Sequence, residues 1–145
     1  MAFKYKQGYF QPKHPEKYIG DVTKIVYRSS WELEVHKFFD NNPQILHWGS
    51  EEIAIPYYNP VKKRMANYYP DYFCEYITKD GEIIKEIVEV KPLHQTKQSR
   101  SRNPRTQLFE NLTYVQNMAK WEAAQKWCEA RRLKFRVLTE KTIFK

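Results

Sequence analysis

Between Arg28 and Pro43 the stretch RSSWELEVHKFFDNNP places Trp31, Val35, Phe38 and Phe39 at the i, i+4, i+7, i+8 spacing of an amphipathic helix. Ser29 or Ser30 offers an N-cap hydroxyl, and Glu32 and Glu34 put negative charge in the first turns. Asp40-Asn41-Asn42-Pro43 then ends the period. Beyond it the pattern shortens. EEIAIPYY alternates briefly up to and past Pro56 and predicts a short strand, and NPVKKRMAN predicts a basic turn. Tyr68–Ile77 and Glu82–Lys91 predict two strands joined as a hairpin at Lys79-Asp80-Gly81. From Pro92 to Pro104 the apolar pattern lapses into a basic loop. It returns over Arg105–Arg132 as a long helix, with Leu108, Leu112, Val115, Met118 or Ala119, Trp121 or Glu122, and Trp127 or Cys128 near one face. KFRVLTE predicts a closing strand.

Residues 1–22 hold Pro12, Pro15, scattered lysines and several aromatics without a sustained period, which predicts an extended, basic N-terminal arm. Phe3, Tyr5, Tyr9 and Phe10 suit either stacking on bases or anchoring the arm on its own domain. Residues 23–145 then form one domain, large enough for a single core. The order helix, three strands, helix, strand predicts an α/β fold with a mixed central sheet flanked by helices.

Composition narrows the function. No run approaches the roughly 18 apolar residues of a membrane span, and the first twenty residues lack the apolar stretch of a secretory signal. A soluble protein with no membrane partner is expected. Cys74 and Cys128 show neither CxxC nor metal-ligand spacing, so they read as buried free thiols of a reducing compartment. With four glycines and no Gly-rich loop, phosphate cradles of the P-loop or dinucleotide type are excluded. The net charge is +8, and no acidic residue falls between Glu89 and Glu110, whereas Lys91, Lys97, Arg100, Arg102 and Arg105 all do. A localised basic stretch on a basic chain is the footprint of a nucleic-acid partner, against the plainer reading of a solvated loop.

The hairpin carries the candidate chemistry. A three-residue Lys79-Asp80-Gly81 loop, with Gly81 left-handed, makes residues whose numbers sum to 160 stand opposite one another. Asp71 then faces Glu89 on one side of the sheet, their Cβ atoms roughly 5 Å apart, and Lys91 emerges from that side too. A two-residue Asp-Gly turn would send the two carboxylates to opposite faces. Val88 and Val90 point the other way, into the core. Two carboxylates that close repel, and a divalent cation between them removes the difficulty. Magnesium favours one or two carboxylates plus waters and phosphate oxygens, and a neighbouring lysine can hold the attacking water or neutralise charge on phosphate. Lys97, Arg100, Arg102 and Arg105 would grip the DNA backbone rather than base edges. The ordinary alternatives are an exposed Glu-x-Lys ion pair and a routine turn aspartate. His14, His36 and His47 have no metal spacing, His94 is a loop residue beside Lys91, and no Ser or Cys is set with an obvious base.

Taken together, Pro70-Asp71, Glu89-Val90-Lys91 and the order of elements resemble the PD-(D/E)xK nuclease superfamily. That resemblance implies a restriction-endonuclease-like αβββαβ core. It also implies that Asp71 and Glu89 are metal ligands, that the Val90 backbone carbonyl is a third, and that Lys91 serves the nucleophilic water. RSSWE looks like the helix element that adds a glutamate, nominating Glu32, with Glu34 as the alternative. More narrowly, YRSSWELEV, SEEIAIPY, YYPDYFCEY, VEVKP and FRVLTE make the chain similar to the head completion nucleases of contractile-tailed bacteriophages. Less specifically, it resembles the nuclease subunit of certain transposition systems. What this implies is a Mg2+-dependent nuclease (Mn2+ substituting) acting on packaged double-stranded DNA before tails join. It would work in the host cytoplasm or virion beside head or portal and neck proteins. A non-cleaving DNA-end-binding neck protein and a stand-alone junction or repair nuclease are the rival readings.

Overall fold

A computed structural model describes residues 7–143. Phe3 and Tyr5 of the expected arm lie outside the described residues. The chain runs β1 (Gly8–Tyr9), β2 (Val26–Tyr27), α1 (Ser30–Asn41), β3 (Ile45–Ser50), β4 (Ile55–Asn59), β5 (Arg64–Tyr68), β6 (Tyr72–Ile77), β7 (Ile83–Val90), α2 (Pro104–Ala130), β8 (Lys134–Leu138) and α3 (Glu140–Ile143). The central sheet has the order β3-β6-β7-β8. Its first two pairings are antiparallel and the last is parallel, so the sheet is mixed, as expected. No helix among the described residues is long and apolar enough to cross a membrane.

Three expectations need correcting. Ile45–Ser50, which has no clean alternation, takes the sheet position that EEIAIPYY was expected to fill. That segment instead becomes β4, paired with β5 in a separate two-stranded sheet, so the basic NPVKKRMAN stretch is half turn and half strand. Nor is Tyr68–Ile77 one strand. Pro70 has no N–H to donate to a ladder and restricts the residue before it, so pairing stops at Tyr68 and resumes at Tyr72 in a different sheet. The break leaves Asp71 at the crossing.

The hairpin register is as expected. Tyr72 pairs with Val88 and Ile77 with Ile83, while the Thr78 N–H donates to the Glu82 carbonyl at 2.8 Å. Gly81 adopts φ 82°, the left-handed conformation that this loop requires.

Helix α1 begins where Ser29 accepts a hydrogen bond from the Glu32 N–H at 3.1 Å. Trp31, Val35 and Phe39 are buried, but Phe38 is 56 % exposed; His36 and Asp40 take the place assigned to it. Burying them is tolerable because both are satisfied. The His36 ring nitrogens meet the Tyr72 hydroxyl at 2.6 Å and the Val26 carbonyl at 3.0 Å. Asp40 accepts from the backbone N–H groups of Lys13 and His14 at 2.7 and 3.0 Å.

Over its described residues, 7–22, the expected arm is therefore packed on the domain rather than extended from it. Lys17 caps the end of α1 by donating to the carbonyls of Phe39, Asp40 and Asn42, each at 2.8 Å. Phe10 and Tyr18 sink into the core around Trp48, with ring centroids 6.0 and 4.8 Å away, whereas Tyr9 stays exposed. Isolated anchors of this kind leave no period to read.

On the other side of the sheet, Ile55, Tyr57, Tyr68 and Ala124 form a second cluster, joined by Trp121, Trp127 and Phe135. Only the later part of α2 packs there. Leu108, Leu112 and Val115, all assigned to its buried stripe, are 63 %, 39 % and 42 % exposed, because the buried face of the helix starts only at Asn117. Cys74 and Cys128 are buried and free, and burial pushes their thiols up to about 12 and about 11.

Burial holds His36 neutral, lowering its pKa from 6.5 to about 4. The unfolded chain takes up that proton first, so stability falls as pH drops from 6.5 toward 4, by about 3 kcal/mol from this group. Urea unfolding at neutral pH and near pH 4 should show that His36→Gln removes this part of the wild-type acid sensitivity. An unchanged pH dependence in the variant would exclude the assignment.

Candidate active site

At the crossing the register brings two carboxylates into direct contact. The Asp71 N–H donates to Glu89 Oε1 at 3.1 Å, and Asp71 Oδ2 accepts from the Val90 N–H at 2.7 Å. Glu89 is 3 % exposed and Asp71 is half-buried. Lys91 Nζ stands 3.8 Å from Glu89 Oε2, and its backbone N–H donates to the Leu138 carbonyl of β8 at 2.9 Å, which holds the strand end in place. Both N–H and C=O of a strand residue leave by the same edge. The Val90 carbonyl therefore leaves toward Asp71.

Electrostatically the pair is unfavourable. Burial, then the negative charge of Glu89, raises the Asp71 carboxyl well above the usual carboxylate range, against the Val90 N–H and Lys91, which lower it. Glu32 is also raised, by burial first and then by Asp71 and Glu51, although the hydrogen bond from the Arg28 N–H opposes this. A cation would reverse each of these penalties. That is the test of fit for a divalent metal: Asp71 Oδ1 and Glu89 Oε2 remain to it beside the Val90 carbonyl, a hard oxygen set suited to magnesium. No set of three His, Cys, Asp or Glu side chains among the described residues stands in metal-holding geometry, so the protein offers a carboxylate pair, which is enough for magnesium and too few for a closed site.

A cleft of about 370 Å³ opens beside the pair, lined by Ser29, Trp31, Glu32, Asp71, Val90, Lys91, Pro92, His94 and Gln95. It brings Glu32, Asp71, Val90 and Lys91 to one wall. Glu32 arrives there through its cap, with Oε2 accepting from the Arg28 N–H at 3.0 Å. The alternative, Glu34, is exposed and lines a different groove with Lys37 and Phe38. His94 sits in the short turn after β7, which is tied down by Glu140 accepting from the Leu93 N–H at 3.0 and 3.1 Å. Lys97, Arg100, Arg102 and Arg105 lie further along, exposed and outside the cleft wall. Ser99 pins their loop to α2, its N–H donating to Asn111 at 2.9 Å.

Several nearby side chains escaped the motif reading. Arg28 Nη1 clamps Glu51 at 2.6 and 2.7 Å beside Glu32 and Asp71, and Glu51 itself has φ 57°, a left-handed conformation uncommon outside glycine. Tyr68 closes β5 with its hydroxyl buried beside Glu89 and Trp121, and Lys120 reaches over its ring. Arg28 and Glu51 do fall in the quoted segments YRSSWELEV and SEEIAIPY, but no spacing rule connects them.

Against known proteins, the family described as TnsA-like endonuclease N terminal matches residues 42–140, a span that holds Asp71, Glu89, Lys91 and the basic loop but begins after Glu32. The chain is 37% identical over 139 residues, 92% of its length and 90% of the other's, to the head completion nuclease of Enterobacteria phage T4. Both resemblances read from the sequence are thereby borne out.

The strain in the carboxylate pair predicts a trade between stability and site chemistry. Asp71→Asn keeps an oxygen for the Val90 N–H and removes the repulsion, so without metal it should raise stability at neutral pH by about 1 kcal/mol. Because the folded Asp71 value is raised, the penalty it imposes is full above that value, shrinks as pH falls below it and is gone only below the ordinary carboxylate value of 3.8. Thermal unfolding of wild type and variant in chelator should therefore differ at neutral pH and converge in acid. Equal stability at neutral pH would disprove the repulsion.

Proposed function

The chain belongs to the TnsA-like endonuclease N-terminal family, and on that premise we propose that it is a metal-dependent nuclease that hydrolyses phosphodiester bonds of double-stranded DNA during phage head completion. The observation that carries this is the convergence of Asp71 and the buried Glu89 beside Lys91, with Asp71 and Lys91 lining an open cleft. The similarity to a curated head completion nuclease supplies the setting.

In this reading Asp71, Glu89 and the Val90 carbonyl hold a magnesium ion, which supplies Lewis acidity and lowers the pKa of bound water. Lys91 steadies the attacking water or the charge that grows on the phosphoryl oxygens. Glu32 orients solvent beside Asp71 and Lys91, its carboxylate positioned by the Arg28 N–H. The exposed cations Lys97, Arg100, Arg102 and Arg105 hold backbone phosphates, so the site cuts with little regard to sequence.

Plasmid nicking with magnesium should vanish in chelator and return with magnesium or manganese. Asp71→Ala and Glu89→Ala should each lower the rate by more than the ~10–100-fold typical of supporting residues, and Lys91→Ala by about 10²–10³-fold. Glu32→Gln should cost about tenfold. Full cleavage by purified Asp71→Ala protein would refute the proposal.

A further inference from the structure

A second lysine, Lys120 of α2, approaches the carboxylate pair beside Tyr68 of β5, outside the lining of the cleft that holds Lys91. Lys120 lies three residues after Asn117 and four before Ala124, both buried, and so projects from the inward face of α2. Its Nζ stands 5.8 Å from the centroid of the Tyr68 ring. Tyr68 is 3 % exposed, its buried hydroxyl has Glu89 and Trp121 as polar neighbours, and the charges of Glu89 and Asp71 act on it. Lys120 is half-buried, feels both of those carboxylates, and forms no salt bridge with either. The other cations acting on it are Lys91 and Lys62, and Lys62 begins the exposed Lys62-Lys63-Arg64 run at the tip between β4 and β5.

A desolvated ammonium is costly unless an anion meets it. Here burial and two neighbouring lysines oppose the charge, Glu89 and Asp71 favour it without closing a salt bridge, and the ring face of Tyr68 is a weak counterpart. Lys91 and Lys120 act on the carboxylate pair and Lys62 stands beyond Lys120, so three cations outnumber two carboxylates and suit a strand of phosphates that passes along them. We propose that Lys120, continued outward by Lys62, is a second phosphate-holding station for the DNA strand engaged at Asp71 and Glu89. This rests on the nuclease reading above. It extends the nucleic-acid path across the β4–β5 tip, away from the basic loop that follows β7. Lys120 is a positioning residue here, and Lys91 keeps the chemistry.

The test is equilibrium binding of a labelled short duplex to the full chain in chelator, over a salt series, for wild type, Lys120→Met, Lys120→Arg and Lys62→Ala. Methionine keeps the aliphatic stem over Tyr68 and removes only the charge. Each neutralisation should weaken binding several-fold and reduce the slope of log affinity against log salt by about one, while Lys120→Arg keeps the slope. Unchanged slopes for Lys120→Met and Lys62→Ala would overturn the station. Should Lys120→Met fail to fold, the exposed Lys62→Ala decides in the same way. Wild type that binds and cuts while both variants match it overturns this inference alone. Wild type that does neither overturns the nuclease reading and this with it.

Discussion

Everything at the site depends on the pairing register of β6 and β7. Gly81 in the left-handed conformation closes the loop so that Thr78 meets Glu82, and seven residues further out on each strand Asp71 and Glu89 share a hydrogen bond. A slip of one residue would turn Glu89 into the core and Val88 into the cleft, since side chains alternate across a sheet. The register is held by more than the turn. Tyr72, Cys74 and Val88 are locked into one core cluster, and Ile87 is fully buried on the other face.

That core explains why a repulsive pair is tolerated. Trp48, Phe39, His36 and Tyr72 interlock as edge-on and tilted rings with centroids 5.0 to 6.5 Å apart. The same Tyr72 hydroxyl touches the His36 ring and stands 3.2 Å from the Glu32 carbonyl, so the start of α1 is tied to the strand that follows Asp71. Aromatic packing thereby sets the distance between a helix carboxylate and a strand carboxylate. The unfavourable charges sit on a frame whose stability comes from elsewhere, which is common where function demands strain.

The arrangement also divides labour by position. Groups that must be placed accurately come from strand ends and a capped helix start, while the basic residues meant for a backbone ride on loops and hairpin tips. Phosphates repeat along a strand, so loosely placed cations can hold them. A cation between two carboxylates has no such latitude.

Much of this was legible in the order of residues, because local physics dictates it. The Ser29 cap, the Gly81 turn and the alternation of Val88, Glu89, Val90 and Lys91 specify a helix start, a loop type and a face, and together these imply that residues 71 and 89 meet. Other features were not legible, since they depend on contacts between segments far apart in the chain. Phe38 and Leu108 have helical spacing yet face solvent, because a period says which residues share a face and not whether anything covers it. Ile45–Ser50 became a sheet strand through its partner β6 rather than through any pattern of its own. Phe10 and Lys17 bound the expected arm to the domain by single long-range contacts. The placement of Arg28, Glu51 and Lys120 around the carboxylates was likewise decided only when helices and strands packed, because a side chain's electrostatic neighbours are set by distance in space and not along the chain.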